Sequence, residues 1–206
     1  MCAHDDDGVG TDHREPRRLR FSVGTDSEGS YYVIDCANAL IALASYVNAA
    51  ESNNCSGRRF KQTADIDMSG RSWEPIGKDD SMRMFEGTYD GDGYFILNIT
   101  HTADDQYGIS GLFGDFRGTV KNVNLKDCNF TGNRAAGIAA STYDNPSIVN
   151  CNVLGGTITG TDMEPNVKNG SYIGGIVAYF FSGTVSGCFT TTTYDGNAYD
   201  KGPVVG

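Results

Sequence analysis

The chain is poor in the features that most readily announce a function. Its 206 residues include only 5 prolines, 1 tryptophan and 3 histidines, and charged residues make up 20%. No apolar run approaches the ~20 residues that a membrane-spanning helix needs. The three histidines (His4, His13 and His101) stand far apart and the six cysteines form no C-x-x-C pair, a pattern that speaks against a zinc site. H-E-x-x-H, G-x-S-x-G and phosphate-cradling glycine loops are all missing, so neither a metallopeptidase, a nucleophile elbow nor a P-loop is written in the chain. With a net charge of −10 and a pI near 4.6, the composition also argues against a polyanion such as nucleic acid as partner.

What is abundant points elsewhere. There are 27 glycines and 11 tyrosines, with many threonines and asparagines, a profile of short strands and turns. One helix is expected over residues 35–49, within YYVIDCANALIALASYVNAA. Ala39, Leu40, Leu43, Ala44 and Val47 recur on one face there, with Asp35 in a position to cap. An apolar helix face of this kind has to dock on something. Residues 1–29 read as a flexible tail, acidic in DDD and basic in REPRRLR, ahead of one domain over 30–206.

Past the helix the chain repeats itself. A small apolar tetrad comes back as EPIG (74–77), GLFG (111–114), GIAA (137–140), GIVA (175–178) and PVVG (203–206). It alternates with runs beginning at Ile96, Val120, Ile148 and Val185. The steps between equivalent tetrads vary, which suits coils whose loops bulge outward by different amounts. Each coil would stack short strands in parallel on its neighbours, ~4.8 Å apart, apolar over apolar. The architecture expected is an all-β parallel β-helix with one N-terminal amphipathic helix. Asn98, Asn122 and Asn150 close three of the runs, with Gly187 at the fourth, and are expected to form a structural amide ladder at one corner. Cys151 and Cys188 follow at equivalent places below Val123 and are expected in an interior stack; a bond between them is conceivable but strains parallel geometry.

Residues 31–206 resemble the GLUG-motif family of bacterial surface proteins, on the strength of Gly111-Leu112-Phe113-Gly114 together with ADIDMSGRSWEPIG and FEGTYDGDGYFILNI upstream. The resemblance implies a right-handed parallel β-helix with the helix at its N-terminal end, and an extracellular, surface-exposed, adhesin-like role. Some members flank metallopeptidases that cleave immunoglobulins, but this chain carries no peptidase motif. The final tetrad would open a further coil, so the domain is expected to be truncated or covered there. MCAHDDD resembles the mature start of bacterial lipoproteins, which would make Cys2 a lipid anchor and the sole attachment to a membrane; the alternative is a plain solvated acidic tail.

Two constellations bear on function. Asp65 and Asp67, and likewise Asp90 and Asp92, place carboxylates two apart among turns; calcium is one reading, and aspartates bonding their own turn backbone is the stronger one. No catalytic set and no cofactor is expected. Aromatic residues form the second constellation: Tyr172, Tyr179, Phe180, Phe181 and Tyr194 lie on or near the later coils, where outward rings could grip a sugar face or a partner chain. The loop 159–172 is a further exposed candidate. The reading that follows is a non-enzymatic, surface-exposed module binding host or microbial glycans or proteins. The alternatives are a stalk or assembly segment of a larger surface protein, or a carbohydrate-active enzyme.

Overall fold

The computed structural model describes residues 21–78, 82–103, 108–161, 171–196 and 198–204. The chain is a parallel β-solenoid of about five turns with one helix. Its regularity is clearest in the coil that gives one strand to each of five sheets: Thr119–Lys121, Asn124–Lys126, Asn129–Gly132, Arg134–Ala136 and Ala139–Thr142. We call this coil 2. Coil 1 (88–116) lies beneath it, coil 3 (147–180) above it and coil 4 (184–202) above that, all paired in parallel. Beneath coil 1 a base coil supplies Arg59–Gln62, Ile66–Asp67 and Ile76, the last bridged to Phe113.

Inward positions form columns that run the length of the stack. One is Phe60, Tyr89, Val120, Ile148 and Val185; another is Ile66, Ile96, Leu125, Val153 and Thr190. The repeated tetrads coincide in space as expected, since Phe113, Ala139 and Val177 are paired rung by rung. Near the base the filling is aromatic: Phe60, Phe85, Phe113 and Phe116 are fully buried, with successive ring centroids 4.8–6.2 Å apart. Rings bury more area than aliphatic side chains, so this end of the core is filled by few residues.

Two corrections concern the N-terminal region. Strands β1 (Val23–Asp26) and β2 (Gly29–Ile34) form an antiparallel hairpin whose second strand joins the first sheet beside Arg59–Gln62. The expected tail boundary at residue 29 therefore falls within the hairpin, at the first residue of β2; what precedes residue 21 lies outside the described residues. Helix α1 spans Ala37–Ala49, and Cys36, not Asp35, occupies the N-cap, with no side-chain cap bond. Ile34 is buried at the end of β2, which holds Asp35 out in solvent and delays the helix. The apolar face of α1, with Leu40, Leu43 and Val47 at 0% exposure, belongs to the same core cluster as the base coil. At its far end, the Asn48 side chain accepts from the Gly77 N–H and donates to the Pro75 carbonyl, each at 2.9 Å.

The asparagine ladder also needs correcting. Asn122 and Asn150 do share a column, with Gly187 above them, and all three have positive φ (57°, 53° and 64°). Asn98 belongs to a different corner, one strand later, below Asp127 and Gly155, which are left-handed as well. Coils 2 and 3 thus each have two tight left-handed corners, where only Gly, Asn and Asp are comfortable. Nor do the corner amides bond one another: Asn122 donates to Asp90 at 3.0 Å and Asn98 to Asp67 at 2.9 Å. The amide-on-amide contact is made instead by Asn152 and Asn124, at 2.8 Å. Cys151 and Cys188 are stacked one coil apart as expected, and both are free thiols.

Candidate functional site

The fourth and fifth sheets meet at a corner along which three coils place pairs of side chains in register. In coil 1 the paired positions are Ile109 and Asp115, in coil 2 Arg134 and Ser141, and in coil 3 Tyr172 and Tyr179. The Arg134 guanidinium bridges the corner, donating to Ser141 Oγ at 2.9 Å and to the Tyr143 hydroxyl at 3.3 Å. One coil higher the corner is spanned by rings: Tyr172 and Tyr179 meet edge to face with centroids 5.3 Å apart. Toward the base lies a small recess lined by Glu74, Pro75, Lys78, His101, Ala103 and Ile109, where His101 Nδ1 lies 2.9 Å from Ser110 Oγ. Glycine keeps this floor flat, because a Cβ on Gly77 would come within 2.6 Å of the Asp115 carbonyl.

Beside the tyrosine pair the chain turns outward. Phe180 is 38% and Phe181 68% exposed, and Phe181 lies 5.9 Å from the Tyr143 ring. The structure therefore pairs Tyr172 with Tyr179 on coil 3 and sets Phe181 against Tyr143 of coil 2, which Arg134 holds by its hydroxyl, whereas Phe180 continues the column of Phe116 and Thr142 on the other face of the strand. Tyr194 goes elsewhere. It continues the inner column above Phe130 and Ile158, and its hydroxyl donates to the Pro203 carbonyl at 3.3 Å. Arg134 escaped the sequence reading; the signal was an arginine opening the strand that leads into the GIAA tetrad. Most of the loop 159–172 (162–170) lies outside the described residues, as does Cys2.

The aspartates considered for calcium have other partners. Asp67 Oδ1 accepts from the Ser69 amide and hydroxyl as well as from Asn98, and these bonds hold its carboxyl below the usual range. Asp65 accepts from the Phe95 N–H at 2.8 Å. Burial pushes Asp90 up, but the Asn122 amide, the Asp92 N–H and Lys121 outweigh it and leave that carboxyl lowered. Asp92 pairs with Lys61 at 3.3 Å. Among the described residues, no three His, Cys, Asp or Glu side chains converge as metal ligands. On the same outer face the hairpin is clasped to the solenoid: Asp26 receives both Arg59 guanidinium nitrogens at 2.9–3.0 Å, and Glu28 pairs with Arg59 and with Lys121.

No family model matches the sequence. The chain is 33% identical over 153 residues to a halomucin of Haloquadratum walsbyi, which covers 68% of this chain and 2% of that protein. It is 30% identical over 138 residues to a protein of Evansella cellulosilytica named as a candidate Gly-rich membrane protein, covering 63% of this chain and 15% of the other. The chain thus spans a small part of the relatives it matches. A solved structure from Bacteroides ovatus, named as a candidate immunoglobulin A1 protease, is similar over 86% of this chain and 65% of its own, at 17% identity and a TM-score of 0.44. That likeness is too distant to carry activity across.

Proposed function

We propose that this solenoid is a segment of a cell-surface protein and works as a non-enzymatic, adhesin-like module that binds glycan through the aromatic corner of coil 3. The relatives named as a halomucin and as a membrane protein support the surface setting, and the GLUG-like tetrads agree with it. The binding reading is carried by the Tyr172–Tyr179 pair, with the exposed Phe181 lying against Tyr143 one coil below. Rings held by paired strands lose little freedom on contact and offer apolar faces to the C–H face of a sugar, while Arg134 supplies donors to its hydroxyls. A lipid anchor at Cys2 would tether the module to the outer surface of a bacterial cell.

The test is a screen of the full chain against arrayed glycans and matrix proteins beside a Tyr179→Ala/Phe181→Ala variant, with the glycans checked by mass spectrometry. Saturable binding to glycan, weakened about tenfold or more in the variant, is expected, the scale of ~1.4 kcal/mol. Glycans shortened by the chain would replace the module with an enzyme, and binding to matrix protein alone would change the ligand class. Silence on every spot would leave a structural segment.

A further inference from the structure

Cys151 and Cys188 occupy the same corner in successive coils and make the same contacts. Cys151 Sγ lies 3.4 Å from the Val149 carbonyl of its own coil and 3.9 Å from Val120 O below; Cys188 Sγ lies 3.4 Å from Ser186 O and 3.8 Å from Ile148 O. The two side chains thus point the same way and stack along the solenoid axis. They are also close, since the Cys151 backbone N–H donates to Cys188 Sγ at 3.4 Å. That contact puts one sulfur beside the backbone that carries the other. Both residues follow left-handed corners, Asn150 and Gly187, and lie between strands rather than in them, so a small turn of each side chain disturbs no ladder bond. Cys151 is buried, whereas Cys188 is only partly so.

We infer that Cys151 and Cys188 are a disulfide-forming pair that covalently fastens coil 4 to coil 3. In-register parallel neighbours lie at ~4.8 Å, inside the Cα separation that a disulfide spans. A small-molecule disulfide such as oxidised glutathione supplies the oxidising equivalents. The partly exposed Cys188 thiolate attacks one glutathione sulfur, a mixed disulfide forms and one glutathione leaves as its thiolate. Cys151, losing its proton to solvent, then attacks the Cys188 sulfur and expels the second glutathione. Two thiols are oxidised and one disulfide is reduced. Hydrogen bonding from Cys151 holds the Cys188 thiol below its ordinary value, while the same contact and burial raise that of Cys151, so Cys188 is the sulfur that attacks first. The position gives the bond a purpose, because the inner columns are least buried in coil 4, where Val185 and Cys188 are only partly covered. A cross-link there closes a loop of about 37 residues and confines the coil most ready to open.

The test exposes the native full chain to oxidised glutathione, blocks the remaining thiols with an alkylating reagent and maps the peptides by mass spectrometry. A cross-linked peptide pair joining Cys151 to Cys188, lighter than the two free thiols by two hydrogen atoms, is expected. Cys55 and Cys128, buried and without a cysteine neighbour among the described residues, should remain alkylatable after unfolding. Amide exchange across 184–202 should slow by about tenfold or more in the oxidised chain and return to its starting rate with reductant. Both thiols recovered in alkylated form, or glutathione held stably on Cys188, would overturn the inference. Cys151→Ser should accumulate the Cys188–glutathione adduct, which tests the order of attack even if the cross-link proves slow.

Discussion

The two ends of the solenoid solve the same problem by different means. At the base, α1 lies in the core cluster with the lowest inner rungs, and Leu40, Leu43 and Val47 are fully buried there. In coil 4 the equivalent columns end in Val185, Thr190 and Tyr194, all partly exposed, and Phe189 is 57% exposed. A rung of a parallel stack buries its inner residue only when something lies above and below it. The N-terminal end has that partner within the described residues, whereas among those same residues coil 4 has a rung on one side. Stability should therefore fall along the axis, and the aromatic corner on coil 3 lies nearer the looser end.

The sharpest way to break this comparison is to remove similar apolar bulk at both ends. Leu40→Ala should cost ~2–5 kcal/mol through lost transfer and a residual cavity. Val185→Ala, partly solvated already, should stay below ~1.5 kcal/mol. Urea denaturation of the two variants measures both; equal losses would mean that the ends are equally packed. Asn48→Ala follows in size. It leaves the buried Gly77 N–H without its acceptor and frees the end of α1 from Pro75, at ~1–3 kcal/mol. The loss should appear as faster amide exchange in α1 and around residues 75–77, with 184–202 unchanged.

These contrasts also show which parts of the fold the sequence discloses. The tetrads are legible because each must place a small or apolar residue inward at every turn, whatever the loop lengths between them, and Phe113, Ala139 and Val177 do pair in register. The corner columns are blurred because coils 2 and 3 each have two left-handed corners with the same chemistry. In coil 1 the first corner is a longer loop, Gly91–Tyr94, and Tyr89 fills the inner place of an aliphatic residue. The search for a β-branched run therefore settles one strand late, and Asn98 is assigned to the wrong column. The hairpin is hidden for another reason: β1 is four residues long with no buried side chain, and its clasp partner Arg59 lies 33 residues from Asp26. Of the site, the coil 3 aromatics are visible as a cluster in the chain, but Tyr194 looks equivalent until register places it inward. Arg134 becomes visible only when Ser141 and Tyr143 are brought beside it.

The smallest expected effect acts on the well-capped end and runs against its advantage. Asp26 is held by the hydrogen-bonded Arg59 guanidinium, with its own turn backbone and Lys61 adding to the hold, and its carboxyl lies at about 2 against an ordinary 3.8. A carboxyl that binds its proton less tightly when folded stabilises the fold fully above its unfolded value. That contribution declines as pH falls from near 3.8 toward 2 and is absent below. Asp90, also lowered and paired with Lys121, acts in the same sense. Acid should therefore loosen the β1–β2 hairpin before coil 4, which has no such clasp among the described residues. High salt should do the same more weakly, because the pairs are partly solvent-exposed. Comparing the amide exchange of residues 23–34 with that of 184–202 above and below this window, in the parent and in Asp26→Asn, measures the effect. The parent should lose hairpin protection selectively on acidification, and the variant should start lower and change less. Parallel loss in the two segments, or an unchanged profile in Asp26→Asn, would mean that backbone pairing with β2 and Arg59–Gln62 holds the hairpin without help from its charges.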